Sequence, residues 1–162
     1  MNNMKKSITL VGLLALLFTI SSFTSNPASV KDGGDDIIGI WEPSNGKARV
    51  KIEKIGSKYY GKIVWLREPI DPTTSKPKVD KNNEDEKMRN VPLRGYRMLK
   101  DFTYDEASKE WTDGTIYDPE SGSLYNCVIT MKDDVLNIRG YVGVKALGRT
   151  DTWKRLKLKK KN

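Results

Sequence analysis

The sequence predicts an all-β protein, a single antiparallel up-and-down β-barrel of about eight strands. Three observations carry that expectation. Short segments in which apolar and polar residues alternate with period two follow one another between residues 37 and 158. Gly, Pro, Asp and Asn punctuate them at short intervals. No long helical periodicity and no internal repeat breaks the series, and closing such a meander removes its unpaired edges.

The N-terminal residues read as separate from that fold. Lys5 and Lys6 precede an apolar run, Ile8 to Ile20, and Ser21, Ser22, Thr24 and Ser25 follow it. This is the charged, apolar and small-residue order of a secretory signal. The run is too short to span a bilayer, which takes ~20 residues. Residues 1–25 are therefore predicted as a signal peptide, with the mature chain starting between Phe23 and Ser29. No Cys follows the apolar run to take a lipid anchor. Residues 26–36, which include Gly33-Gly34-Asp35-Asp36, read as a flexible leader.

The barrel is assigned to 37–158 and a basic tail to 159–162. Ile37 to Trp41 is the first strand. In Arg49 to Ile55, Val50 and Ile52 alternate with Arg49, Lys51 and Glu53, which marks a strand buried on one face. Tyr59 to Leu66 is apolar on both faces and is read as central. Gly46 and Gly56 mark the turns around the second strand. From Arg67 to Asn90 the alternation stops, and acids and lysines are interrupted by Pro69, Pro72 and Pro77. This reads as a long polar loop with a short helical turn near Glu84 to Met88. Strand patterns resume at Gly95 to Tyr104, Glu110 to Thr112, Thr115 to Tyr117, Ser123 to Met131, Val135 to Val142 and Arg149 to Leu158. Asp113-Gly114 has the residues of a two-residue hairpin turn. Asp118-Pro119-Glu120-Ser121-Gly122 has those of a type I turn closed by a bulge. The acids of this region are accordingly read as turn residues facing water.

Composition excludes several function classes. The chain has no histidine, which removes the usual general base, the Ser–His and Cys–His nucleophiles and His-ligated metals. Formal charge is +8, but two of the 29 Lys and Arg precede the apolar run and six lie in the last nine residues. The body is thus neutral, with no basic face for nucleic acid. The tail suits peripheral contact with an anionic membrane surface. Cys127 is the lone cysteine; it sits mid-strand on the face of Tyr125, Ile129 and Met131 and reads as an inert buried thiol. Asp80-Lys81-Asn82-Asn83-Glu84-Asp85 places oxygen ligands at alternate positions. The calcium-loop pattern fails, because its sixth residue is Asp85 rather than Gly and its twelfth is Val91 rather than Glu. No cofactor and no metal site is predicted.

Two constellations remain. Gly39-Ile40-Trp41 opens the first strand and Trp153-Lys154-Arg155 lies on the last, and a closed meander makes those strands neighbours. Arg155 is expected to stack on Trp41, as a cation–π contact. This resembles the closure of lipocalin-type barrels, where a G-x-W on the first strand meets an Arg on the last. Parity supplies the second cluster. If Trp153 points inward, so do Arg149 and Asp151, while Arg139 shares a face with Tyr141. Arg139, Arg149, Tyr141 and Asp151 form the expected ligand-binding set, a mouth for an anionic group. Asp101 is the internal alternative as a countercharge.

An ordered set of motifs is similar to the bacterial domain-of-unknown-function family 2147. It comprises D-x-x-N-x-D at Asp80, Asn83 and Asp85, and R-x-x-P-L-x-G at Arg89, Pro92, Leu93 and Gly95. W-x-x-G-x-I-Y-D-P-x-x-G from Trp111, R-G-Y at 139–141 and G-R-T-x-T-W-x-R from Gly148 to Arg155 complete it. The resemblance covers Ile38 to Arg155 and implies an exported protein of the Gram-negative envelope, periplasmic or extracellular. It also makes Asp80, Asn83, Asp85 and Arg89 loop candidates. Val91 departs from it, because the family usually has a second Arg before Pro92, which weakens an anion role for that loop.

The leading functional expectation is a lipocalin-like exported barrel that binds a small, anionic ligand or an envelope component. The second is a non-enzymatic interaction module that uses the 67–90 loop and the basic tail. The third is a carboxylate-based hydrolase using Asp71, Asp80 or Asp85, against which the absent histidine and the lack of an acid/base pair both count. Trp65 and Met98 are the residues expected to decide whether the centre of the barrel is filled.

Overall fold

The computed structural model describes residues 33–157. The expected signal peptide, the rest of the leader and the 159–162 tail lie outside the described residues. Eight strands form a closed antiparallel barrel in sequence order: β1 (Gly39–Glu42), β2 (Ala48–Ile55), β3 (Lys58–Leu66), β4 (Arg97–Asp105), β5 (Glu110–Asp118), β6 (Ser123–Lys132), β7 (Val135–Tyr141) and β8 (Arg149–Arg155). Pairing of Trp41 with Arg155 and of Glu42 with Lys154 closes it.

Two expectations about local structure are corrected. The first strand begins at Gly39, because Gly33–Ile37 is a 3-10 turn rather than leader or strand. Its Gly34 and Ile37 are buried. The Gly34 carbonyl accepts the Trp111 indole N–H at 3.1 Å, and the Ile37 carbonyl accepts that of Trp41 at 2.8 Å. Two large indoles packed in the barrel need acceptors for their N–H groups, and this turn supplies both. It thereby seals one end.

Asp113-Gly114 is not a hairpin turn. Glu110–Asp118 is one strand, and its register with β6 shifts between Trp111 and Gly114, which is a β-bulge. Asp113 adopts φ 60°, and its carboxylate accepts the Thr103 hydroxyl at 2.9 Å. A Cβ on Gly114 would sit 2.4 Å from the Phe102 ring, so the bulge makes room for a core side chain. The turn chemistry is real, but core packing uses it to bend a strand. The second turn forms as expected: the Gly122 amide donates to the Asp118 carbonyl at 2.8 Å, with Gly122 at φ 76°.

The core occupies the sealed half. Trp41, Trp111, Trp153, Tyr59, Phe102, Leu99 and Ile138 are all within 2% of complete burial. Burying each such side chain contributes about 1.5–3 kcal/mol, so this half dominates stability. Trp65 is not part of it; it lies outside the barrel, with the Arg49 guanidinium 4.3 Å from its ring centre. Met98 packs against the core edge.

Arg67 to Tyr96 crosses between β3 and β4 as a long loop with the expected short turn, here at Glu86–Met88. It is ordered by isolated bridges, Ile70 to Pro77 and Val79 to Pro92, and packs against the outside of the sheet.

Candidate functional site

The strand connections divide the barrel into two ends. At the sealed end lie the 33–37 turn and the tight β2–β3, β4–β5 and β6–β7 turns. At the other end lie the β1–β2, β3–β4, β5–β6 and β7–β8 connections, and there the barrel opens into a cavity of about 610 Å³. That volume suits a small organic ligand.

Strand parity explains the lining. Ile116 pairs with Tyr125, Ile138 with Asp151, and Gly140 with Arg149, so these residues face inward around the mouth. Ile138 forms the apolar floor above the Leu136 and Trp153 layer. Gly140 has no side chain to fill the space, which helps to keep the mouth open. Tyr141, Val142, Leu147 and Gly148 complete one wall.

Charge in the mouth is not internally neutralised. Asp151 accepts the Thr152 amide at 2.9 Å through Oδ1 and the Trp153 indole at 2.7 Å through Oδ2, both neutral donors. Arg149, exposed at the rim, has no hydrogen-bond or ion-pair partner among the described residues. Asp118 also lines the cavity, but its oxygens accept the Glu120 amide and the Ser121 hydroxyl and so hold the β5–β6 turn.

Of the expected ligand set, the structure brings Arg149, Asp151 and Tyr141 to this mouth and leaves Arg139 outside. Arg139 pairs with Val128 and Thr150 on the outer face. Its guanidinium donates to the Lys145 carbonyl at 2.9 Å, the Ala146 carbonyl at 2.7 Å and the Thr150 hydroxyl at 2.9 Å. Arg139 therefore fastens the β7–β8 connection and its 3-10 turn, Lys145–Leu147. The expectation that both arginines line one mouth is corrected: Arg139 pairs with Thr150 on the outer face, and Arg149 pairs with Gly140 on the inner one. Asp101 is no countercharge for it: Asp101 accepts the Tyr60 hydroxyl at 2.9 Å and faces Lys58 at 3.6 Å.

The loop candidates come together, but as a fastening. Asp80 is fully buried. It accepts the Tyr117 hydroxyl at 2.8 Å and the Asn83 amide at 2.6 Å. The Asn83 side chain accepts the Asp85 amide, the Asn83 carbonyl accepts the Arg89 guanidinium at 2.8 Å, and Asp85 caps the 3-10 turn. Burial, reinforced by the Asp80 carboxylate, pushes the Tyr117 hydroxyl well above the usual tyrosine range. Tyr96 stacks on Tyr117 with ring centres 5.2 Å apart. This knot pins the loop to the outer wall of β5, and Asn82 adds bonds to the Pro119 and Glu120 carbonyls. Asp71 accepts the Thr73 and Thr74 amides. The three acids of the hydrolase reading are thus each occupied in shaping their own loop.

Between this loop and the β5–β6 turn runs a smaller groove of about 300 Å³. Two of its lysines are paired, Lys47 with Glu120 at 2.6 Å and Lys78 with Glu68 at 2.9 Å. Cys127 is buried, and burial pushes its thiol up to about 12.

The closure pair is in place at the sealed end. The Arg155 guanidinium lies 4.1 Å from the centre of the Trp41 ring. It also donates to the Ile38 carbonyl at 2.9 Å, to the Asp36 carbonyl, and to Asp134 at 3.0 Å. A Cβ at residue 39 would lie 2.6 Å from Arg155 Nη1, which is the physical reason for glycine two residues before Trp41.

Tyr125, Ile116 and Ile138 were missed as mouth residues. Parity from Cys127 places Tyr125 inward, but splitting β5 at Asp113-Gly114 hid its pairing with Ile116.

Comparison with solved structures finds the same architecture in protein HP1028 from the human pathogen Helicobacter pylori, described as belonging to the lipocalin family. It is 25% identical over 74% of this chain and 82% of that one, with a TM-score of 0.61. No curated protein matches the sequence. The family described as an uncharacterized protein conserved in bacteria (DUF2147) matches residues 39–155, which run from the glycine under Arg155 to Arg155 itself. The chain belongs to that family, as a lipocalin-like barrel closed at one end and open at the other.

Proposed function

We propose that the protein is an exported binding protein that holds a small amphipathic ligand in the open mouth of its barrel, with an anionic group of the ligand at Arg149. One observation carries this reading. Arg149 faces a cavity with an apolar floor, and no described residue neutralises it. A guanidinium in that position is a ready partner for a carboxylate or phosphate. Export rests on the order of charged, apolar and small residues in 1–25.

The basic tail, proposed to touch anionic headgroups, continues from Lys157, which lies 3.3 Å from Asp134 at the sealed end.

Native mass spectrometry of protein purified from the periplasm tests the binding reading. The wild type is expected to carry a small-molecule adduct that Arg149→Met loses. Adduct-free spectra of both proteins would overturn it.

A further inference from the structure

Resting on the mouth as a ligand site, we infer that the ligand is a zwitterion that enters ammonium-first, its cation meeting Asp151 and its anionic group meeting Arg149. The charge balance of the cavity points to this. Two carboxylates, Asp118 and Asp151, and one guanidinium line it. A purely anionic ligand would gain Arg149 and face both acids.

Asp151 differs from the barrel carboxylates that have a built-in cation. Glu53, Asp35 and Asp134 each sit beside a Lys or Arg. Asp80 has no cation but is fully enclosed, with its oxygens turned to Tyr117 and Asn83. Asp151 and Asp118 open on the cavity with no cation partner among the described residues, but the Asp118 oxygens hold the β5–β6 turn, which leaves Asp151 as the carboxylate nearer the floor. Its two bonds come from neutral N–H groups, and a carboxylate has about four acceptor sites, so it keeps spare acceptors for a ligand. The Trp153 indole, itself buried, fixes its orientation.

Geometry sets the order of the two charges. Arg149 and Asp151 lie two residues apart on one strand, which places their Cα atoms roughly 6.6 Å apart on the same face. Asp151 pairs with Ile138 nearer the floor, and Arg149 pairs with Gly140 nearer the rim. An ammonium and a carboxylate or phosphate separated by one to three bonds fit between the two side chains. Any apolar part can lie on Ile116 or extend past exposed Val142 and Leu147. The shared chemistry is that of an α-amino acid and of an amino-phosphate lipid headgroup.

Calorimetric titration of the mature protein separates the possibilities. The probes are phosphoethanolamine and leucine as zwitterions, ethanolamine as the cation alone and methyl phosphate as the anion alone. At least one zwitterion is expected to bind tenfold or more tightly than either single-charge probe. Asp151→Asn, which keeps an oxygen for the Trp153 indole, is expected to reduce that zwitterion to the level of the anion alone. Arg149→Met is expected to reduce it to the level of the cation alone. Preference for phosphoethanolamine identifies a headgroup, and preference for leucine an amino acid. If methyl phosphate binds as well as the zwitterions and Asp151→Asn changes nothing, the zwitterion inference falls and the anion-binding mouth stands. If no probe binds the wild type, both fall. Should Asp151→Asn not fold, the ranking of the four probes on the wild type decides alone.

Discussion

The two ends of this barrel use the same kinds of residue in opposite ways. At the sealed end the polar groups of the closure are matched. Arg155 spends its guanidinium on a ring, two carbonyls and Asp134, and the indoles of Trp41 and Trp111 donate to the 33–37 turn. At the open end Arg149 has no partner among the described residues, and Asp151 has no cation. Two arginines six positions apart on one strand therefore do different work. One is structural because its partners are built in. The other has no built-in partner among the described residues.

That contrast can be broken most directly at Trp41. Trp41→Ala removes a fully buried ring and is expected to cost about 3–5 kcal/mol in urea unfolding. Arg155→Ala is expected to cost about 2–3 kcal/mol, because several charge-assisted bonds go with the stacking. The double variant should show a coupling of about 0.5–3 kcal/mol. Additive losses would mean that closure does not depend on this contact.

The loop wall gives the next effect. Asp80→Ala leaves the Tyr117 hydroxyl and the Asn83 amide without their buried acceptor, and is expected to cost about 1–3 kcal/mol. Limited proteolysis should then cut first between residues 67 and 96. Cleavage elsewhere at the same rate as in wild type would refute the knot.

Alkali sharpens the comparison at the sealed end. Burial, and then the hydrogen bond to Asp35, raise the Tyr59 hydroxyl to about 12. Its folded pKa lies above the unfolded one, so its contribution is complete below pH ~10 and is lost as pH rises toward 12. Tyr59→Phe should flatten the decline in melting temperature over that window. A parallel decline in both proteins would show that another group controls it.

The smallest expected effect is at the open end. Arg149→Met should change stability by less than about 0.5 kcal/mol, as for an exposed side chain outside the packing. A larger loss by thermal melting would make Arg149 structural and remove the contrast on which the mouth is argued.

Much of this was legible in the linear chain, and the failures share a cause. Period-two alternation gave the strands, because a sheet buried on one face imposes it. The contact between Trp41 and Arg155 follows from chain order, because a closed meander makes its first and last strands neighbours. Asp113-Gly114 misled because the same two residues serve a hairpin turn and a bulge, and only the Phe102 ring selects between them. Gly33 to Asp36 read as a leader because short polar residues carry no periodicity. Their order comes from two distant indoles in need of acceptors. Arg139 was assigned to the mouth because parity sorts residues into two faces without saying which face is inside.

What the sequence determined by itself is local and periodic: the strands, the turn at Asp118 to Gly122, the handedness-free order of the meander, and the absence of histidine chemistry. What only the tertiary structure decided is which polar groups find partners. Asp80 and Asp151 are the same residue type on similar polar segments. One is enclosed by Tyr117 and Asn83, and the other opens on a cavity with its charge unmatched. Hydrogen-bond satisfaction depends on atoms tens of residues away in the chain, and no local pattern of residues encodes it.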